Sequence, residues 1–368
     1  MDPRSLIAER SKLVDASGIR KVFDLAQDLS SPINLSIGQP HFPVAEPVKA
    51  KAMEAIESNK NDYTVTQGIP ELREEILERE KDISGVPHDS IMVTSGVSGG
   101  LLLALMSMVN DGDRVLVPDP YFVMYEQLTR LVGGEPVFVD TYPDFRITVD
   151  DLDFPEAREA KLLLLNSPSN PTGRVMPQDE LRQVADWAEQ NDVFVISDEI
   201  YRVFDYDDNF SSIASMTDQV LLLNGFSKCA AMTGWRVGYA IGPEPVIDEM
   251  TKLQQFSFVC APSMAQYAAR EALQLDYSSK VKAYQAKRDM VYRGLKDKFE
   301  VAKPEGAFYV FVRAPGDDGD AFVKKAIDRE LLIIPGSVFS QKKSHFRISF
   351  AAEDETIKAG IEVLRSMV

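Results

Sequence analysis

Cysteine and histidine are scarce in this 368-residue chain: two cysteines, Cys229 and Cys260, and three histidines, His41, His88 and His345. Two cysteines cannot build a disulfide framework, and neither residue type recurs at metal-ligand spacing, so no metal site is expected. Long apolar runs are missing as well. The longest, Leu101 to Val109, falls far short of the ~20 residues that cross a bilayer. The opening MDPRSLIAERSKLVD lacks the apolar centre of a signal peptide. The expectation is a cytoplasmic protein with no membrane partner. Basic residues trail acidic ones, 40 against 57, for a net charge of −17. Such a surface repels phosphate backbones and no Lys/Arg cluster offsets it, so nucleic acid is not expected as a partner.

Apolar residues make up 45% and charged residues 26% of the chain, an ordinary globular balance. The length exceeds the ~250–300 residues at which one core stops growing, so two domains are expected. Helical spacing at Val48, Ala52, Met53 and Ile56, and at Leu72, Ile76 and Leu77, precedes a series of short apolar runs. These are Ile91–Val93, Val115–Val117, Val137–Val139, Leu162–Leu165, Val193–Ile196, Val220–Leu223 and Val237–Ile241. Helices are expected at Leu101–Val109 and Leu181–Ala188. Continuous runs rather than alternation indicate strands buried on both faces of a largely parallel sheet. From about Pro245 long amphipathic helices take over, to about Met290. The C-terminal part then reads strand (Ala307–Val312), helix (Asp320–Arg329), strand (Phe346–Phe350), helix (Glu353–Met367).

Four loops that follow strands carry chemistry. Lys228, in Asn224-Gly225-Phe226-Ser227-Lys228, stands just past Val220–Leu223, with Arg236 a short loop away. Ligands of open α/β sheets bind outside that strand edge, and a lysine near a second cation is a candidate nucleophile. Alone, it reads more readily as a solvated loop lysine, since most lysines lie at the surface. Asp198 and Tyr201, in Ser197-Asp198-Glu199-Ile200-Tyr201, follow Val193–Ile196. The carboxylate there could bind a cationic group, or the segment could simply cap a helix. Asn170, in Asn166-Ser167-Pro168-Ser169-Asn170-Pro171-Thr172-Gly173, sits in a proline-fixed loop that could aim an amide into the same cleft. Gly96, Val97 and Ser98, in Thr94-Ser95-Gly96-Val97-Ser98-Gly99-Gly100, open a helix whose N–H groups could cradle an anion. The conjunction describes a pocket for an aromatic cation bearing a phosphate and an aldehyde, which is pyridoxal 5'-phosphate.

In these residues the chain resembles the class I/II aminotransferases of fold type I, the aspartate aminotransferase superfamily. The likeness runs from Ser17-Gly18-Ile19-Arg20-Lys21-Val22-Phe23-Asp24 to Phe346-Arg347-Ile348-Ser349-Phe350, and the N-terminal segment resembles the prokaryotic-type branch. It implies an α/β fold: a large domain with a mostly parallel seven-stranded sheet between helices, plus a smaller α+β domain. Residues 46–285 would form the large cofactor-binding domain, and 1–45 with 286–368 the small one. Lys228 would hold the cofactor as a Schiff base, Asp198 would pair with its ring nitrogen, and Tyr201 and Asn170 would bond its 3-oxygen. Gly96, Val97, Ser98, Ser227 and Arg236 would hold the phosphate. Phe122 matches the aromatic that stacks on the ring, with Tyr121 the neighbouring candidate. Tyr63 resembles a tyrosine that reaches the partner subunit's phosphate, which implies a homodimer with shared sites. Arg347 would grip the substrate α-carboxylate, near Asn170 and the backbone of Gly38.

The activity so implied is ping-pong transfer of an amino group between an L-amino acid and a 2-oxo acid, aspartate and 2-oxoglutarate first. Aromatic, alanine or broad-range transamination is the alternative, as is a fold-type-I C–S lyase, with a non-catalytic regulatory protein more remote. A dicarboxylate needs a distal cation. Where the branch can carry a lysine, this chain reads Val97-Ser98-Gly99-Gly100-Leu101, and Arg20 or Lys21 could compensate. His41-Phe42 departs from the acidic residue and Phe often found after Pro40. Cys229 is expected as a packing residue, His88 and His345 as surface or edge residues, Glu71–Glu80 as a solvated helix face, and Trp187 as core.

Overall fold

A computed structural model of the chain describes residues 1–15, 18, 29 and 31–368. After a two-residue strand β1 (Ile33–Asn34) come β2 (Ser90–Thr94), β3 (Arg114–Asp119), β4 (Glu135–Asp140), β5 (Leu162–Asn166), β6 (Phe194–Asp198), β7 (Val220–Gly225) and β8 (Gly238–Gly242). β2 to β8 form one seven-stranded sheet in the order β2-β8-β7-β6-β5-β3-β4. β8 runs against its neighbours β2 and β7, and the remaining pairs are parallel. Each apolar run read from the sequence is one of these strands. Every residue of β7 is buried, because helices cover both faces of the sheet. On one face Leu101, Leu103 and Leu105 of helix Gly96–Met108 meet Ile247 and Met250 of helix Glu244–Gln255. On the other, helices Pro70–Ser84, Gln178–Gln190 and Ser263–Leu273 bury Leu72, Ile76, Leu181, Val184, Ala265 and Ala269.

The C-terminal part carries β9 (Tyr309–Arg313), β10 (Leu331–Leu332), β11 (Ile334–Pro335) and β12 (His345–Ser349). β11, β12 and β9 form an antiparallel sheet in that order, and β10 pairs in parallel with β1. Helices Gly319–Ile327 and Asp354–Arg365 follow β9 and β12. One core joins Leu35 and Phe42 to Phe308, Phe346, Ile348 and Leu364, so the segment from Leu35 to Phe42 packs with the C-terminal unit. The helical stretch after Pro245 is three helices, the last being Ser278–Leu295, which runs without a break through the boundary expected at residue 285.

Two expectations are corrected. His345 is not a surface or edge residue: it lies on the middle strand β12, 8% exposed, with its ring stacked on Phe311 at 4.9 Å between centroids. Tyr142 and Phe145 pack edge-on against it, and burial pushes its pKa down to about 4. Glu80 is not part of a solvated face. It is 1% exposed and bonded to Arg202, Ser84 and Tyr239. Trp187 and Cys229 are partly buried against the main core, and the Cys229 thiol donates to the Gly225 carbonyl at 3.6 Å.

Candidate active site

Parallel strands present their C-terminal ends along one edge of a sheet. Here the edge gathers Thr94, Asn166, Asp198 and Gly225, the last residues of β2, β5, β6 and β7. The loops leaving them surround a cavity of about 240 Å³ lined by Gly38, Val97, Ser98, Phe122, Asn170, Asp198, Tyr201, Ser227, Lys228, Arg236, Tyr309 and Arg347 among others. Most of the residues singled out in the sequence therefore meet in one place.

Lys228 leaves a one-turn helix, Phe226–Cys229, and its Nζ donates to the Gly38 carbonyl at 2.7 Å. Burial, reinforced by the neighbouring Arg347 charge, lowers its pKa to about 8. A neutral amine is thereby within reach near physiological pH. Asp198 is 5% exposed and accepts from the Tyr125 hydroxyl at 2.9 Å and from the Ile200 N–H at 3.2 Å. Burial pushes its pKa up to about 6 against those two bonds. Among the described residues no salt bridge reaches this carboxylate within 4 Å.

Arg347 is 1% exposed. One terminal nitrogen donates to Asn170 Oδ1 at 3.0 Å and the other to the Ser36 carbonyl at 2.8 Å, while its buried Nε has no partner. Its guanidinium carbon lies 4.4 Å from the Tyr309 ring centroid and 4.5 Å from that of Phe339. Two aromatic rings thus hold a cation at the cavity wall. Tyr201 Oη and Tyr309 Oη are 3.0 Å apart.

The first N–H groups of helix Gly96–Met108 have no helical carbonyl to bond, and its first-turn residues Val97 and Ser98 line the same cavity. Arg236, itself at φ 55°, donates to the Ser95 carbonyl at 3.1 Å and the Thr233 carbonyl at 2.9 Å. Gly96 has φ +67°, and a Cβ there would stand 2.5 Å from the Arg236 guanidinium. The glycine lets the cation approach the helix end.

Phe122 lines the cavity, whereas Tyr121 turns away and donates to Glu126 at 2.8 Å. Gly96 supports the cavity without lining it. Tyr63 stands apart, 82% exposed. His41 is held elsewhere, its ring Nδ1 2.8 Å from the Tyr284 hydroxyl. Arg20 and Lys21 lie outside the described residues. Lys228, Arg236 and Arg347 are the cations lining the cavity among the described residues. Sequence reasoning missed Tyr125, Tyr309 and Phe339. Tyr125 and Tyr309 sit inside a helix and a strand with no turn residue or motif to mark them, and Phe339 lies in the turn after Gly336–Val338, where an apolar side chain reads as packing.

The sequence pattern of the family described as aminotransferase class I and II matches residues 30–364. The chain belongs to this family. Its members generally depend on pyridoxal phosphate and use amino acid and keto acid substrates, and this chain is such an aminotransferase. It is 38% identical over 376 residues to a probable aspartate aminotransferase of Methanocaldococcus jannaschii, covering 98% of this chain and 100% of the relative. It is 35% identical over 381 residues to aromatic-amino-acid aminotransferase 2 of Thermococcus litoralis, covering 98% of each chain. A Pyrococcus protein, A1, has a crystal structure that superposes with a TM-score of 0.94 at 36% identity, covering 98% of this chain and 97% of that one. Fold type I follows from that likeness together with the mostly parallel sheet.

Proposed function

We propose that this aminotransferase works at the cavity around Lys228, with aspartate and 2-oxoglutarate as its first substrate pair. The observation that carries the site is the buried Asp198 carboxylate: it has neutral hydrogen-bond donors and no bonded cation. A protonated pyridine nitrogen is the charge such a group lacks. The rest of the donor set fits pyridoxal phosphate as well: a lysine amine, a helix N-terminus with Arg236 for a phosphate, and Phe122 for a ring face. When bound, the cofactor supplies an electrophilic carbon and an electron-withdrawing ring.

The chain's own residues divide the remaining work. Lys228 Nζ would provide the amine that anchors the cofactor and, when free, would move the proton at the substrate Cα. Asp198 stays ionised against the ring nitrogen and keeps its proton in place. Tyr201 and the Asn170 amide donate toward the ring oxygen. The Val97 and Ser98 N–H groups, the Ser98 and Ser227 hydroxyls and Arg236 hold the phosphate. Arg347 takes the α-carboxylate in a fork that Asn170 Oδ1 and the Ser36 carbonyl hold in orientation. Gly38 leaves room beside it: a Cβ there would stand 2.9 Å from the Tyr309 hydroxyl. In the full cycle the amino group of one acid becomes that of the other, and the first leaves as a 2-oxo acid.

The aspartate preference is supported by the name of the M. jannaschii relative. An aromatic preference is the second reading, favoured by a specific observation: the lining cations are already engaged by lysine, phosphate and α-carboxylate roles, and Phe122, Tyr201 and Tyr309 present aromatic walls. The test is a spectrum of the purified protein from ~300 to 500 nm before and after adding L-aspartate or L-phenylalanine alone. Conversion of the cofactor band by aspartate, reversed by 2-oxoglutarate, is the expected result. Conversion by phenylalanine only transfers the proposal to aromatic substrates, and elimination products without conversion point to a lyase.

The homodimer belongs to the same proposal. Tyr63, Val65 and Phe256 are 82%, 57% and 87% exposed, on segments tied together by the Gln254 amide bonding to the Thr66 carbonyl at 2.7 Å. Such an apolar patch needs a cover, and in a dimer of this kind Tyr63 would serve the partner's phosphate. Light scattering at twice the 41.0 kDa chain mass is expected; a monomeric, active protein rejects it.

A further inference from the structure

Tyr309 has no assigned role, yet its side chain touches each half of the site. It stands on β9, 1% exposed, at the seam between the C-terminal unit and the large sheet. Its hydroxyl oxygen lies 3.0 Å from that of Tyr201. Its ring carries the Arg347 guanidinium at 4.4 Å. Its hydroxyl also lies so close to Gly38 that a Cβ there would meet it at 2.9 Å, and the Gly38 carbonyl is the one that Lys228 bonds. Tyr201 can give its single proton to only one acceptor. If that acceptor is a ring oxygen in the cavity, the Tyr201–Tyr309 bond must run the other way, with Tyr309 donating to Tyr201.

We propose that Tyr309 is a positioning residue that donates its hydroxyl proton to Tyr201 and so strengthens Tyr201 as a donor to the cofactor's ring oxygen. The inference rests on the site reading given above. A donor whose own oxygen accepts a hydrogen bond becomes polarised and bonds more strongly, the more so in a dry, low-dielectric site. The Arg347 charge against the Tyr309 ring pulls in the same direction. The carboxylate clamp and the ring-oxygen partner are thus joined through one phenol. Stabilising a negative ring oxygen lowers the proton affinity of the conjugated cofactor nitrogen, and the absorbance of the bound cofactor reads that affinity directly.

The experiment is a pH titration of the cofactor band in wild type, Tyr309→Phe, Tyr201→Phe and the double variant. Tyr309→Phe keeps the ring under Arg347 and removes the hydroxyl alone. Its titration midpoint is expected about half a pH unit or more above wild type, the shift that loss of a polarising bond would give. The double variant is expected to titrate with Tyr201→Phe, because Tyr309 acts through Tyr201. Gly38→Ala, whose new Cβ crowds the Tyr309 hydroxyl, is expected to move the midpoint upward too, which gives a reading independent of Tyr309→Phe. A wild-type band whose midpoint stays put in Tyr309→Phe and Gly38→Ala overturns the relay alone, as do additive shifts in the double variant. Wild-type protein that takes up no cofactor overturns the site reading and the relay with it.

Discussion

Asp198 and Glu80 are both buried carboxylates, on opposite sides of the turn Asp198-Glu199-Ile200-Tyr201-Arg202, and their surroundings differ in kind. Glu80 accepts from both terminal nitrogens of Arg202, from Ser84 Oγ at 2.5 Å and from Tyr239 Oη at 2.5 Å. Burial pushes its pKa up, but Arg202 and these bonds outweigh it and hold it below the ordinary value. Asp198 has Tyr125 and one backbone N–H, and burial wins. A carboxylate with every oxygen satisfied is a strut. One left desolvated with neutral partners stores unfavourable free energy until a cation arrives, which is how binding sites are commonly poised. The side of the turn bearing Asp198 and Tyr201 faces the cavity, and the side bearing Glu199 and Arg202 is clamped from behind.

Substitutions can break this contrast. The largest expected effect is Asp198→Asn in the loaded enzyme: kcat falls on the order of 10²–10³-fold, a loss of electrostatic stabilisation, while the protein still folds. A variant near wild-type activity would remove Asp198 from the mechanism. Next comes Glu80→Ala, which leaves the Arg202 charge buried and unpaired, for a loss of about 3–5 kcal/mol in urea unfolding. Equal denaturation midpoints for variant and wild type would show that the clamp is slack. The third effect is in pH. The folded Asp198 pKa of about 6 exceeds its unfolded value, so its contribution is fully present below pH ~4 and lost as pH rises through 6. Cofactor-free protein is expected to lose on the order of 2–3 kcal/mol over that window from this group, and Asp198→Asn to flatten the slope. Identical pH–stability curves for the two proteins would contradict the assignment.

The sequence made these two carboxylates unequally legible, and the reason is physical. Asp198 stands one residue past the continuous apolar run Val193–Ile196, where a charge at a parallel strand's end is easily seen even though a helix cap would also account for it. Glu80 hides among the charges of Pro70–Ser84, although it continues the buried stripe of Leu72 and Ile76 at helical spacing. The long strands were readable for the same reason as Asp198: burial on both faces leaves uninterrupted apolar runs such as Leu162–Leu165 and Val220–Leu223. The two-residue strands β1, β10 and β11 carry no period to read. Site residues just past the strands, Asn170 in its loop and Ser227 and Lys228 on the one-turn helix, were marked by glycine, proline and order along the chain. Tyr125 and Tyr309 were not, because a tyrosine in an apolar element looks like packing until its hydroxyl is seen to meet another polar group.

Glu199 lies between the two extremes and offers the smallest and sharpest test. One of its oxygens accepts from Ser197 at 3.0 Å and Ser212 at 2.5 Å, and the other has no hydrogen-bond partner, with Arg202 3.8 Å away. Burial pushes its pKa up to about 7 despite the Arg202 charge. Its folded pKa lies above the unfolded one, so its contribution to stability is lost as pH rises toward and past 7. Glu199→Gln keeps the oxygen that both serines need and removes the titrating proton. The expected outcome is a variant within about 1 kcal/mol of wild type at pH 5 and more stable than wild type at pH 8. Destabilisation at pH 8 as large as that of Glu80→Ala would mean that Glu199 is ionised and paired with Arg202, and the clamp behind the turn would then hold two carboxylates rather than one.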